Sequence, residues 1–575
     1  MGLLNSALQI GRSALLSYQG ALQVVGNNIS SAGSPDYTRL LPQLDPLQGS
    51  LLGGDLHPGA GVTLNGIQRN IDEALEARLR LAIGAEEASA VERFGSARVE
   101  SLYNDSSGAD LATRLNTFLN GFDDVQNHPE DTAIRDLAIQ NGVLLADSLR
   151  ATRAGLAAAA ADFDGQIADL AAEADQTARD IAELNSEITT AEAGGRGEAT
   201  GLRDQRDGLL RRLSQLLDVT VREQPDGAIN VYVGSEALVQ GATVRGLVAV
   251  SVSDGQTTRT SVRLAETNQE IQVRGGRLAG LIAARDEHAL GRIAAIDELA
   301  AAIIVEVNRL HADGQGLVGL AEVVGGRDVR DGDVPLNDAA AGLLPPPESG
   351  SFLITVADDA TGTPVAYRID VDLEDAGGTT LESLVASIND QVVGVQASIT
   401  SDNRLALTAE EGFTFTFGHD GQEARPDTSG VLAALGVNTF FTGRDARDIA
   451  VNSAVVGDAR LLAAAAAFHP GDGLAAGRIA ELGSTPSELL NGVSLTEFYN
   501  AMVGEVAIAG AAVADELEAA SAIHASLLGQ RESVSGVNLD EEAIALLKFE
   551  RAFQGASRFV RVVDDLLDEL VLLVR

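Results

Sequence analysis

The chain has 575 residues, of which 45% are hydrophobic, and this length is typical of about three or four domains with sizeable cores. Asp and Glu number 83 against 41 Lys and Arg, and the resulting formal charge of -42 excludes nucleic acid and anionic membranes as partners, because such a surface repels them. The absence of cysteine excludes disulfides, thiolate metal ligands and cysteine nucleophiles.

The N-terminus does not resemble a cleavable signal peptide, because it has no basic start and polar residues such as Asn5 and Gln9 interrupt its apolar positions. The sequence has no run of about 18 apolar residues, so it predicts no membrane-spanning helix. We therefore expect a protein that is cytosolic or that leaves the cell by a route without such a signal.

The first predicted element is an amphipathic helix from Gly2 to Ile29. Its apolar residues alternate in the a/d pattern of a coiled-coil seam. The seam positions are Leu4, Leu8, Gly11, Leu15, Tyr18, Leu22, Val25 and Ile29. A second apolar face consists of Leu3, Ile10, Ala14, Ala21 and Val24. One partner helix cannot bury both apolar faces. A helix with two such faces is typical of a subunit whose ends pack into an assembly.

A turn at Ser34–Asp36 follows, and residues 40–68 are predicted to be loop with short strands because Pro and Gly are frequent there. Helical periodicity then recurs in a series of segments separated by short breaks, which indicates an antiparallel bundle. These helices are predicted at about 71–103, 109–126, 130–151, 153–192 and 199–217.

The apolar period changes from 3.6 to 2 at Asp218, which predicts a β-rich domain with a hairpin turn at Pro225–Gly227. A helix at about 277–312 returns to the bundle, and alternating residues after Ser351 predict a second β-rich unit with a short helix at 380–390. Further helices are predicted at 457–467, 472–482 and 494–529.

The last helix has a seam that matches that of the first helix. Its positions are Leu546, Phe549, Phe553, Ala556, Val560, Val563, Leu567, Leu570 and Val574. Asn538 is predicted to cap this helix, and the acidic residues at 540–542 suit its N-terminal dipole. The two terminal seams can pair with each other, although periodicity alone leaves open two ordinary core helices.

Together these patterns predict an α+β multidomain protein, with terminal coiled-coil helices and a discontinuous helical bundle that carries inserted β-rich domains. The expected division is a terminal assembly domain (1–39 and 538–575), a bundle (70–218, 276–312 and 445–530), a β-rich domain (219–275 and part of 313–350) and an outer β-rich domain (351–440).

The sequence predicts no catalytic, cofactor-binding or metal-binding residues. The seven histidines include no pair at helical ligand spacing. Gly314–Gly319 has the form of a dinucleotide-binding loop but follows a predicted helix instead of a strand. Asp328, Asp331 and Asp333 lack the spacing and closing Glu of an EF-hand, so a solvated loop is expected there, with a weak surface Ca²⁺ site as the alternative.

The stretch Ala21–Ile29, followed by Ser34–Arg39, resembles the N-terminal signature of the bacterial flagellar rod, hook and hook-associated proteins. The residues that match this motif are Gly26, Asn27, Asn28, Pro35 and Tyr37. Ser34 and Asp36 depart from it, since Thr and Gly are usual there. These departures change a turn and leave the helix pattern intact.

Four later stretches resemble one branch of this group, the hook-associated protein 1 family at the hook–filament junction. They are Leu202–Leu210, Val307–Gly314, Leu435–Asn452 and Ser535–Glu542 with the helix that follows. The matching stretches occur in order along most of the chain, and residues 313–430 are the least covered. Another flagellar axial subunit, of hook or rod type, remains the alternative within the group.

The resemblance implies a structural, non-enzymatic subunit of the extracellular flagellum, exported without a cleaved signal through the flagellar type III channel. It implies self-association in a ring, with contacts to the hook protein and to the next junction protein. It also implies an export chaperone on the C-terminal helix, at about 540–575. A secreted enzyme in the 313–440 region and an adhesin formed by the outer β-rich domain are the alternatives from other classes.

Overall fold

The structure is a computed structural model that describes residues 2–34, 37–48, 59–103, 110–194, 197–253, 258–374, 377–421, 423–467, 469 and 471–573. Its helices are α1 (Gly2–Ser31), α2 (Glu73–Glu100), α3 (Leu111–Asn127), α4 (Thr132–Glu192), α5 (Thr200–Leu216), α6 (Gly276–Ala283), α7 (Gly291–Ala312), α8 (Leu381–Gln391), α9 (Val431–Leu435), α10 (Ser453–Gly457), α11 (Leu474–Glu481), α12 (Leu495–Ser535) and α13 (Leu539–Leu573). A π-helical turn, Ala284–Leu290, joins α6 to α7, and single 3₁₀ turns lie at Ala459–Leu461 and Glu488–Leu490.

The strands are β1 (Leu40–Gln48), β2 (Gly59–Arg69), β3 (Thr220–Glu223), β4 (Ile229–Val233), β5 (Glu236–Gln240), β6 (Thr243–Val244), β7 (Leu247–Ser253), β8 (Thr258–Leu264), β9 (Glu322–Val324), β10 (Gly350–Asp358), β11 (Pro364–Val371), β12 (Val395–Ile399), β13 (Leu405–Ala409), β14 (Phe413–Phe417), β15 (His419–Asp420), β16 (Glu423–Ala424), β17 (Phe441–Thr442) and β18 (Ala450–Val451). These elements give the α+β fold that the sequence predicts, with long helices at both ends.

The chain divides into two compact units: unit 1 comprises residues 1–95, 161–285 and 511–575, and unit 2 comprises residues 96–160 and 286–510. Three long helices, α2, α4 and α12, each continue from one unit into the other. The pieces of each unit are therefore distant in sequence, as expected for a discontinuous bundle. The finer division into four domains stays a proposal.

Unit 1 contains the terminal helices, the β1–β2 hairpin and the antiparallel sheet β3–β4–β5–β6 beside the β7–β8 hairpin. The predicted turn at 225–227 joins β3 to β4, and Gly227 adopts a positive φ of 84° there. Asn185 of α4 holds this sheet: its amide donates to Ile229 O over 2.9 Å, and its Oδ1 accepts from Ile229 N over 3.1 Å. Arg206 of α5 donates both to Asn185 and to Gly227 O.

Residues 40–68 form a long hairpin, β1–β2, and not the loop with short strands that the composition predicts; residues 49–58 lie outside the described part. Pro42 and Pro46 lie in β1, which is paired on one side only, so their missing N–H groups leave no ladder bond unmade. The frequent proline and glycine residues therefore led to a prediction of loop in a segment that contains two long strands.

Unit 2 has an aromatic core formed by Phe118, Phe122, Phe440 and Phe441, whose ring centroids lie 4.7–5.7 Å apart. Asn308 of α7 holds Phe441, because its amide and its Oδ1 bond the Phe441 carbonyl and N–H, each over 2.8 Å. Two of the stretches that carry the family resemblance, 307–314 and 435–443, thus pack together.

His311 of α7 has a structural role in this core. Its Nδ1 lies 2.8 Å from Asn438 O, and its Nε2 accepts from Ala463 N over 3.0 Å. Burial lowers the pKa of His311 to about 4, so the ring is neutral. Residues 457–467, predicted as a helix, are instead a 3₁₀ turn and extended backbone, because Ala463 bonds His311 and Ala465 bonds Gln315.

The later β region of unit 2 has two three-stranded sheets, β11–β10–β14 and β12–β13–β9, with α8 against β12. Ile354, Leu381 and Phe415 lie in its core. Strand β9 pairs with β13, so Glu322–Val324 belongs with the later strands. For these three residues the pairing differs from the expected grouping of part of 313–350 with the β-rich domain of residues 219–275.

Candidate assembly interface

Helix α1 packs against α13, which brings the two predicted seams together. Gly11 lies directly on Val560: a Cβ atom added to Gly11 would overlap Val560 Cγ2 and would lie 3.3 Å from Phe559 Cδ1. Val25 and Val563 are the buried apolar residues of this seam besides Gly11. The close approach at Gly11 shows that side chains of α13 lie directly on the backbone of α1 at this point.

Most residues of the predicted interface are only partly buried. Those of intermediate exposure are Leu4, Leu8, Leu15, Tyr18, Leu22, Phe549, Phe553, Val560 and Leu567. Ile29 and Leu546 are each 37% exposed, and the side chain of Leu570 lies outside the described part. Two helices cover their seam incompletely, so the pair retains apolar surface that neighbours can bury.

The β1–β2 hairpin covers part of the second apolar face of α1. Ser17 Oγ donates to Val62 O over 3.0 Å, and a Cβ atom on Gly20 would lie 2.6 Å from Leu64 Cδ2. Ala21 and Val24 are buried within the chain. The argument that this second face requires a neighbouring subunit is therefore wrong for these two residues, because the chain itself buries them.

A buried amide joins the two chain ends at the end of this pair. Asn28 is 1% exposed, and its Nδ2 donates to Leu40 O over 2.9 Å and to Glu542 Oε2 over 3.0 Å. Its Oδ1 accepts from Leu40 N over 3.0 Å and from the Tyr37 hydroxyl over 2.8 Å. One amide thus uses four hydrogen bonds to hold α1, the start of β1 and α13.

Glu542, which is 2% exposed, belongs to the same joint. Its Oε1 accepts from Arg39 Nε over 2.8 Å, while Arg39 NH1 reaches Glu541 over 2.6 Å. Burial, Asp204 and Glu542 together raise the pKa of Tyr37 to about 12, so its hydroxyl remains a donor. The sequence had placed Glu542 at the helix dipole, whereas it is the buried partner of an arginine and an amide.

A second set of charges continues from this joint into the bundle. Arg69, at the end of β2, donates to Asp204 over 2.9 Å and also pairs with Asp207. Burial lowers the pKa of the Arg69 guanidinium, but the two carboxylates outweigh burial and raise it. Burial also raises the pKa of Asp204, which Arg69 and a hydrogen bond from Thr38 oppose. The hairpin is thereby tied to α5.

The motif residues have different roles. Asn28 and Tyr37 form the joint, Gly26 and Asn27 are exposed, and Pro35 lies outside the described residues. Sequence reasoning missed Arg39, Arg69, Asp204 and Glu542 as a network. Their signal was available, because all but Arg69 lie inside stretches that resemble the family.

The described part of the chain offers no grouping of side chains suited to a metal ion. Among its residues, no three His, Asp or Glu side chains are grouped so that they could hold a metal ion. No helix within the described ranges is long and apolar enough to cross a membrane. What the geometry provides is an interface: paired termini with an incompletely covered apolar seam.

Comparisons with known proteins identify similar chains. A family model described as the flagellar hook-associated protein FlgK helical domain matches residues 96–325. The flagellin hook IN motif matches residues 355–411, and the C-terminal model of the flagellar basal body rod FlgEFG proteins matches residues 530–572. The three matches span both compact units and the last helix.

Curated relatives match over nearly the full length. The chain is 26% identical to flagellar hook-associated protein 1 of Escherichia coli (strain K12), covering 99% of this chain and 100% of that protein. It is 24% identical to the protein of the same name from Salmonella typhimurium (strain LT2), with the same coverage, and 22% identical to that of Bacillus subtilis (strain 168), covering 98% and 97%. The solved flagellar hook junction protein FlgK from Burkholderia pseudomallei has a similar fold, with a TM-score of 0.52, 17% identity, and coverage of 80% of this chain and 100% of that one.

Proposed function

We infer that the chain is a member of the flagellar hook-associated protein 1 family and a structural subunit of the junction between hook and filament in a bacterial flagellum. The observation that carries this function is the pairing of α1 with α13, locked by the buried amide of Asn28. This joint combines the N-terminal family motif with the start of the C-terminal helix. It makes the two ends of the chain one rod-like assembly element.

The proposal extends to the partners. The half-buried seam, which includes Leu15 and Phe553, supports burial against further copies of the chain in a ring. We assign one side of this ring to the hook protein and the other to the next junction protein. The exposed outer face of α13 supports binding of an export chaperone to about residues 540–575 before assembly.

We also propose that the protein is extracellular, that it leaves the cell through the flagellum's own export channel, and that it acts without enzymatic chemistry. The basis is the similarity to flagellar hook-associated protein 1 over nearly the full length, together with the structural roles of His311 and Asp204. In unit 1, the ion pairs Arg69–Asp204 and Arg39–Glu542 join elements that are distant in sequence.

The test is assembly on isolated hooks that lack filaments. The purified chain should form a zone of short, fixed length at the distal end of each hook, visible by electron microscopy, and this zone should then accept the next junction protein. Growth of indefinite length would instead identify a hook-type subunit. In cells from which the gene is deleted, hooks should form without filaments; normal filaments there would contradict the junction function.

A further inference from the structure

The face of α13 opposite its seam is both apolar and basic. Its apolar members are exposed; they are Ile544, Leu547, Val562 and Leu566. Lys548, Arg551 and Arg558 lie among them on the same side, because residues three, four and seven apart share a helix face. We call this surface the basic face of α13.

The charge of this face is opposite to that of the chain. Carboxylates outnumber cations 83 to 41 overall, yet residues 543–563 carry Lys548, Arg551, Arg558 and Arg561 and only one carboxylate, Glu550. None of these four cations has an ion-pair partner among the residues that the structure describes. A basic and apolar face in an acidic protein fits an acidic surface with an apolar groove.

An apolar groove lies between α2 and α12 in unit 1; the one charged residue of its described lining is Arg78, and its nearby carboxylates lie farther along α12. It has a volume of about 570 Å³ and is lined by Arg78, Leu81, Ala82, Ala522, Ile523, Ser526 and Leu527. Leu81 is 58% exposed and Ile523 is 57% exposed. Asp515 and Glu516, both exposed, lie about two turns before Ile523 on α12. We call this surface the α2–α12 groove.

The spacing of the two surfaces matches. Ile523 and Glu516 are seven residues apart on α12, and Ile544 and Arg551 are seven residues apart on α13. Seven residues of helix span about 10.5 Å, or nearly two turns, so the members of each pair share a face. If the two helices are antiparallel and Ile544 lies against Ile523, then Arg551 lies against Glu516, seven residues farther along each helix.

We propose that the basic face of α13 of one copy docks antiparallel into the α2–α12 groove of a second copy, with Ile544 against Ile523 and Arg551 against Glu516. The proposal rests on the proposed function, which places copies of the chain side by side. The occupant is a second copy because the exposed cations Lys548 and Arg551 of α13 match the exposed carboxylates Asp515 and Glu516 of α12. Ile523 and Ile544 are also uncovered in the single chain.

The first test uses cysteine cross-linking, which is clean because the native chain has no cysteine. Cells whose only copy carries Ile523→Cys together with Ile544→Cys are grown, and their flagella are isolated and oxidised. We expect a ladder of multimers in steps of the 59.5 kDa chain that collapses on reduction. The matched control, Val393→Cys with Ile544→Cys, should remain monomeric, since Val393 is 66% exposed but lies in the outer β region.

The second test reverses charges and does not depend on thiols. Arg551→Glu should reduce the number of filaments per cell to that of cells lacking the chain, because it faces Glu516 across the contact. Adding Glu516→Arg should restore the filaments. Arg561→Glu is the matched control: it makes the same change on the same helix, about a quarter turn away from the basic face, and filaments should remain normal.

The outcomes separate this docking from the proposed function. Double-cysteine chains that enter flagella but stay monomeric on oxidation would overturn the docking and leave the junction function intact. Cross-links from Ile544→Cys to a protein of another mass would place a different partner on the basic face and would also overturn it. If the cysteines prevent incorporation, the charge-reversal pair decides, and failure of Glu516→Arg to rescue counts against the docking. Absence of the wild-type chain from flagella would instead refute the proposed function.

Discussion

At the residue scale, one side chain connects both ends of the molecule. Asn28 presents two donors and two acceptor positions, and the structure uses all four on Leu40, Tyr37 and Glu542. An aspartate of the same size would lack the two donors and would place a carboxylate beside Glu542. The chemistry of the joint therefore requires an amide, which is a physical reason for the second Asn of the motif.

We predict that Asn28→Ala opens this joint locally. Removal of the amide takes the hydrogen-bond partner from the buried N–H and C=O of Leu40 and from Oε2 of Glu542, which costs about 1–3 kcal/mol or more. The Leu40 amide should then exchange its hydrogen about 5- to 150-fold faster, as measured by hydrogen exchange at single-residue resolution. Asn27→Ala is the matched control, because Asn27 is exposed and its side chain lies outside the joint. Equal protection of Leu40 in Asn28→Ala would contradict this role.

We predict a second residue effect in unit 2, at Asp313. Burial raises the pKa of the Asp313 carboxyl to about 7; the hydrogen bond from Asp427 N–H opposes this rise, and the Asp427 carboxylate adds to it. The folded state therefore binds more protons than the unfolded state between about pH 4 and 7, so Asp313 makes stability fall as pH rises through this window. Asp313→Asn removes the ionisation and keeps an oxygen that can accept from Asp427 N–H.

Thermal unfolding followed against pH checks this prediction. Asp313→Asn should melt higher than the wild type at pH 8, and the difference should vanish near pH 4. Asp402→Asn, at an exposed aspartate, is the control and should show no such trend. A wild-type advantage at pH 8 would show that the ionised carboxylate stabilises the fold.

Sequence reasoning identified the residues of the joint only in part. Asn28 and Tyr37 belong to the recognised motif, but the sequence does not reveal that Glu542, 514 residues away from Asn28, is their partner. A carboxylate in the first turn of a helix already has a local explanation in the helix dipole. Only the tertiary structure shows that Glu542 is buried and paired with Arg39 instead.

At the element scale, α1 lies between two partners of different kinds. Its seam packs on α13, and its opposite side packs on the β1–β2 hairpin. The helical period predicted the first contact. The contact with the hairpin was missed because Pro42, Pro46 and the glycines of β2 are atypical of strands. Periodicity also shows only that a helix face is buried and does not identify the element that buries it.

Gly11→Ala should separate the terminal helices. The added methyl group would overlap Val560, so the pair must shift apart at its closest point. Hydrogen exchange of residues 4–25 should become faster in the variant, while exchange in unit 2 should be unchanged. Gly26→Ala is the control on the same helix, with open space at its Cβ position; it should slow exchange slightly, since Ala favours helix by about 0.5–1 kcal/mol. Equal effects of both substitutions would contradict the close contact at Gly11.

At the scale of the whole molecule, the order of the elements was predictable and their grouping was not. Changes of period at Asp218 and after Ser351 separated helical from β regions along the chain. However, α4 is one helix of 61 residues where two were predicted, and β9 pairs with strands about 80 residues later. Periodicity describes neighbours in sequence, whereas such groupings depend on contacts between distant segments.

The terminal seam gives the prediction for the whole molecule. Leu15→Asp or Phe553→Asp places a charge on a partly buried apolar seam, where it loses hydration without gaining a partner. Both variants should keep the circular dichroism and thermal unfolding of the helical bundle and the β regions yet fail to enter flagella, as judged by filament counts in cells. Val393→Asp, at an exposed apolar position of the outer β region, is the control and should assemble normally. If either seam variant were incorporated like the wild type, contacts outside the seam would have to hold the subunits together, and the paired termini would be a feature of folding alone.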